Sequence, residues 1–176
     1  PDLSIGKQYF KFTLWNLSFF FLVLALANPQ KGTSVEKKER TGTDLMVCLD
    51  VSNSMLAEDL KPNRISRAKQ ALTQLVNQLE GDRIGIVIFA GTSVAHLPIT
   101  SDYTAAETFI EVIDTKLIET QGTAIAESLE KAYSAFENQD ETKRSRSIIL
   151  ISDGEDNEEG VLDVTKEIAK EGVVIN

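Results

Sequence analysis

The run Leu45-Met46-Val47-Cys48-Leu49, which ends on Asp50, constrains this chain more than any other stretch. Five apolar residues in succession leave no polar face, so a strand built from them must be covered on both sides. Two later segments share this character, "RIGIVIFA" from Arg83 and "SRSIILIS" from Ser145. Between the strands the period changes to that of helices. Ile65, Ala68, Leu72, Leu75, Val76 and Leu79 fall at helical spacing, with Gly81 as the stop. A second helix is expected after Ser101 or Asp102 as cap, with Ala105, Phe109, Val112 and Ile113 turned inward. A third carries Ile125, Leu129, Ala132, Tyr133 and Phe136 on one face, and a fourth runs through "VLDVTKEIAKEG" to Gly172. "SVAHLPIT" is a short strand whose Pro98 suits a sheet edge, and "VVIN" begins another strand. Strands alternating with helices predict an α/β fold, a doubly wound and mainly parallel sheet with helices on both faces.

In such sheets ligands bind beyond the carboxyl ends of the strands. The polar residues of this chain gather there. The first strand runs into Asp50-Val51-Ser52-Asn53-Ser54, "SIILI" runs into Ser152-Asp153-Gly154, and the loop "ETQGT" delivers Thr123 at the start of a helix. Two buried carboxylates at one edge would repel, and one would take up a proton unless a cation lay between them. An all-oxygen set of Asp50, Ser52, Ser54, Thr123 and Asp153 suits a hard ion, Mg²⁺ with Mn²⁺ as substitute. Hydroxyl ligands leave such an ion electrophilic, so a carboxylate supplied by a protein partner is the expected sixth ligand. Each residue also has a plainer reading: Asp and Ser cap backbone groups after strands, and Thr123 can serve as a helix cap. "DGEDNEEG" is not an EF-hand loop, because its sixth position is Glu158 and its twelfth Val164. Glu155, Asp156, Glu158 and Glu159 read instead as a solvated acidic rim. The single histidine, His96, is expected to be structural or at the surface rather than catalytic or metal-ligating.

Composition removes other classes of function. A formal net charge of −9 opposes nucleic-acid binding, which rests on neutralising phosphates with Lys and Arg. One cysteine, Cys48, excludes an internal disulfide and a cysteine-based zinc cluster, and it reads as a buried, inert thiol. Ahead of the globular part, Phe12 to Ala27 is uncharged and would form about 24 Å of helix, with Tyr9, Phe10 and Lys11 extending it towards a hydrocarbon core of about 30 Å. The expected organisation is a juxtamembrane segment 1–11, a transmembrane helix 12–28, a polar linker 29–42 and a globular domain 43–176. A signal peptide cleaved after Ala25-Leu26-Ala27 and a buried helix are the alternatives for the apolar stretch. Lys31, Lys37, Lys38 and Arg40 outnumber Lys7 and Lys11, which by charge alone puts the domain in the cytoplasm.

Asp50-x-Ser52-x-Ser54, Thr123 in "QGTAI" and Asp153-Gly154 in "LISDGEDN" resemble the metal-ion-dependent adhesion site of von Willebrand factor A domains. Within that superfamily, "LDVSNSMLAEDLKPNRISRAKQAL" and the upstream "LALANPQ" resemble the bacterial aerotolerance-type (BatA/BatB-like) membrane proteins. The resemblance implies that Ser52, Ser54 and Thr123 touch the metal directly and that Asp50 and Asp153 act mostly through water. It implies a further strand and helix beyond Asn176, and an inner-membrane protein whose domain faces the periplasm, against the charge count. Partners would include other Bat-type proteins or a MoxR-type AAA ATPase system. The expected function is metal-dependent protein binding rather than catalysis. The competing reading is a Mg²⁺-dependent phosphatase with Asp50 as nucleophile. It lacks the usual second acid, because that position holds Ser52, and the chain has no P-loop.

Overall fold

The computed structural model describes residues 5–26, 42–137, 144–154 and 160–176. The chain divides into two compact units, Pro1–Glu39 and Arg40–Asn176. The first contributes one helix, α1 (Ile5–Leu26), along which aromatic side chains lie exposed, Trp15 at 83%. Among the described residues no helix is long and apolar enough to cross a membrane. The transmembrane helix expected over 12–28 runs past Leu26, the last described residue of α1. Its part within α1, Phe12 to Leu26, carries no charged side chain. The turns before it carry Lys7, Gln8 and Lys11. Residues 27 and 28, positions 29–41 of the expected linker 29–42, and the acidic rim 155–159 lie outside the described residues.

The second unit runs β1 (Thr43–Asp50), α2 (Arg64–Val76), β2 (Arg83–Phe89), β3 (Ser93–Thr100), α3 (Tyr103–Glu111), α4 (Ile125–Glu137), β4 (Ser145–Ile151), α5 (Val161–Lys170) and β5 (Val174–Ile175). The sheet order is β3-β2-β1-β4-β5. β1 pairs parallel with β2 and with β4, and β4 parallel with β5; β3 returns antiparallel at the edge, where Pro98 leads one to expect it. β1 is central and almost wholly buried, as an apolar run without polar alternation requires.

Helices cover both faces. Leu45, Val47 and Leu49 point into one core with Ile65, Ala68, Leu72 and Val76 of α2 and Ala106 and Ile110 of α3. Met46 and Cys48 point into the other, with Ile125, Leu129, Ala132 and Phe136 of α4 and Ile168 of α5. Cys48 lies deep in that second core, where burial pushes its thiol up to about 12, and its Sγ donates a weak hydrogen bond to the Ser128 carbonyl. An inert thiol is the result. Two expectations shift. In α3 the inward face is Ala106, Ile110 and the following Ile113, while Phe109 and Val112 are exposed. β4 is less deeply covered than its apolar run suggests, with Ile148 its one fully buried residue.

Candidate metal centre

β1, β2 and β4 are parallel, so their carboxyl ends form one edge, and Asp50 stands opposite Phe89 there. The Asp50 side chain is fully buried. One of its oxygens accepts from the Ser52 N–H at 2.8 Å, and the other from the Ser152 hydroxyl at 3.1 Å. Ser152 Oγ in turn accepts from the Gly154 N–H at 3.2 Å. The carboxylate thus draws the loops after β1 and β4 together through neutral donors.

Ser52 and Ser54 place their hydroxyl oxygens 2.8 Å apart. Ser52 precedes a 3-10 turn, Asn53–Leu56, yet its side chain makes no capping hydrogen bond. The turn-cap reading of Ser52 therefore has no bond to rest on. The hydroxyl is held against Ser54 instead.

Thr123 reaches this edge through the backbone. Ala124 N–H donates to the Ala90 carbonyl at 2.6 Å, Gly91 N–H to the Thr120 carbonyl at 2.8 Å, and Asn53 N–H to Gln121 Oε1 at 3.0 Å. This close seating explains two glycines. A Cβ on Gly91 would come within 2.6 Å of the Gln121 carbonyl oxygen, and Gly122 has φ of +144°, where a side chain is strained. The helix-cap reading of Thr123 is displaced by one residue: α4 begins at Ile125, and Ala124 supplies the carbonyl that accepts from Ser128 N–H.

Asp153 stands one residue beyond Ser152, its side chain only 2% exposed, and it accepts from Arg64 Nη1 at 3.0 Å. Arg64 is the first residue of α2, directed by the Asn63 cap, whose side chain accepts from Ser66 N–H. The same guanidinium grips Asp59 through Nε at 2.9 Å and Nη2 at 3.1 Å. Arg64 holds the Asp59 carboxyl below the usual range, and Asp59 raises the guanidinium's own pKa. Nothing in the apolar periodicity of α2 marked Arg64 as part of the site. The available signal was its place at a helix start directly after the Asp50 loop.

The donor chemistry fits a small hard cation. Adjacent ligands of an octahedral ion bound at about 2.1 Å lie about 3 Å apart, close to the Ser52–Ser54 separation. Among the described residues no three His, Cys, Asp or Glu side chains form a metal-binding group; the candidate set is of another kind, two carboxylates with hydroxyls. His96 stands apart from it, hydrogen-bonded through Nε2 to the Phe109 carbonyl at 2.9 Å and packed edge-on against the Phe109 ring.

The sequence profile of the von Willebrand factor type A domain matches residues 45–155. A UPF0353 protein of Mycolicibacterium paratuberculosis is 30% identical over 169 residues, covering 91% of this chain and 50% of that protein. The chain thus spans half the length of that relative. A conserved hypothetical protein, BatB, from Bacteroides thetaiotaomicron is similar in structure with a TM-score of 0.73 at 41% identity, over 77% of this chain and 65% of its own. An aerotolerance-related membrane protein from Bacteroides fragilis aligns with the same TM-score, 0.73, at 40% identity, over 77% and 66% of the two chains. At 22% identity the fold alone is shared with proximal thread matrix protein 1 of the mussel byssus, solved with zinc in its adhesion-site motif (TM-score 0.63; 76% of this chain, 34% of that one).

Proposed function

Because the chain belongs to the von Willebrand factor type A domain family, we propose that it binds a protein partner through a divalent cation held at the carboxyl edge of β1. The carrying observation is the pair of serine hydroxyls 2.8 Å apart beside a fully buried carboxylate. Ser52 and Ser54, with Thr123 from the loop before α4, are the inner ligands in this reading. Asp50 orients the loop through Ser52 N–H and Ser152, and Asp153 balances charge from the β4 side. A cation bound there, Mg²⁺ or in its place Mn²⁺, supplies an electrophilic position for a carboxylate of the partner. Binding is favoured over phosphatase chemistry because Ser52, at the position of the second acid, donates its backbone N–H to Asp50 and turns its hydroxyl to Ser54.

The place of action in this reading is a bacterial inner membrane, with the domain in the periplasm and a role in stress tolerance or complex assembly. Other Bat-type proteins and a MoxR-type ATPase system are the candidate partners. The likeness to an aerotolerance-related membrane protein supports the membrane setting, as do the exposed aromatic side chains of α1.

Titration calorimetry of the whole chain with Mg²⁺ and Mn²⁺ tests the centre. Saturable binding to the parent and its loss in Asp50→Ala, with circular dichroism unchanged, is the expected result. A parent chain that takes up neither ion defeats the proposal.

A further inference from the structure

Arg64 is a resident cation at the edge where a divalent cation is proposed. Its guanidinium is shared between Asp59, 53% exposed, and Asp153, 2% exposed. Asp153 is therefore already neutralised by a hydrogen-bonded partner, whereas among the described residues Asp50 accepts only from a backbone amide and a hydroxyl. The two carboxylates of the site are not equivalent. We infer that Arg64 is a positioning residue that holds Asp153 back from the metal and sets the affinity of the centre for divalent cations; this rests on the metal-binding reading above.

Two effects act in the same direction. A guanidinium at 3.0 Å occupies an oxygen of Asp153, and its positive charge repels a divalent ion bound nearby. Removing Arg64 releases the oxygen it holds and removes the repulsion, so metal binding tightens. Asp59 works the other way. It offsets the charge of Arg64 from the solvent side, so removing its carboxylate leaves the guanidinium wholly to Asp153 and weakens metal binding. Arg64 remains 30% exposed, which leaves this balance open to ionic strength.

The test is Mn²⁺ calorimetry on the whole chain, as parent and as Arg64→Gln, Arg64→Lys and Asp59→Asn. Arg64→Gln is expected to tighten Mn²⁺ binding about tenfold, and Asp59→Asn to weaken it several-fold. Arg64→Lys, which keeps the charge, is expected to stay close to the parent. Raising the salt from low to high concentration should shrink the gap between parent and Arg64→Gln. Damage to the fold cannot give opposite shifts in two neighbouring variants, and a melt without metal monitors it. Equal affinity in parent, Arg64→Gln and Asp59→Asn overturns this inference while leaving the metal site standing. Absence of binding in every form overturns both.

Discussion

Asp44 shows how one residue can carry a disproportionate load. It lies at the amino end of β1, its side chain 5% exposed, and accepts from Arg83 Nη2 at 2.6 Å and Arg144 Nε at 2.7 Å. Burial pushes its carboxyl up, but hydrogen bonds and charge from the two guanidiniums outweigh this, and the group titrates below the ordinary range. A depressed carboxyl adds stability that is fully present above the unfolded-state value, about 3.9, and is lost as pH falls through the folded value. Urea melts at descending pH should therefore show stability dropping below about pH 4. Asp44→Asn should be less stable at neutral pH by about 3 kcal/mol, since it removes the charge that two guanidiniums share, and its stability should vary less with acid. At the candidate centre, the place of Asp50, Ser52 and Ser54 at the sheet edge was legible because an apolar run that ends on a carboxylate marks the end of a buried strand. Arg64 was not, since an arginine at a helix start is unremarkable until the partner across the edge is known.

Among the elements, α2 links stability to the site. Asn63 caps it by accepting from Ser66 N–H at 2.9 Å, and this fixes where Arg64 leaves the helix. Asn63→Ala is expected to lower stability by about 1 kcal/mol in chemical denaturation. A loss well below that would mean the cap does not secure the helix start. The helical stripes of α2 and α4 could be read directly, because each is long enough to repeat its pattern and apolar along one face only. α3 is shorter, and two adjacent apolar pairs, Phe109-Ile110 and Val112-Ile113, give two overlapping stripes. The packing against α2 and the sheet selected Ile110 and Ile113, and the ring of Phe109 went instead to His96.

For the molecule as a whole, a ligand that binds only the folded state must stabilise it, by about 2.7 kcal/mol at one hundred times its dissociation constant. Thermal melts of the parent with excess Mg²⁺ should shift upward, and those of Asp50→Ala should not; a parent melt indifferent to metal contradicts the proposed centre. The sequence by itself determined that the chain folds as a covered, mainly parallel sheet, because Leu45–Leu49 has no face that tolerates water and helical segments separate the strands. It also determined which residue types stand at the carboxyl ends. Only the tertiary structure decided how these ends join. The Ser152 bond to Asp50, the seating of the Thr123 loop on Ala90 and Gly91, and the reach of Arg64 to Asp153 are contacts between residues far apart in the chain. Local pattern carries no information about such distances, since hydrophobic periodicity records which face is buried and not which loop lies opposite.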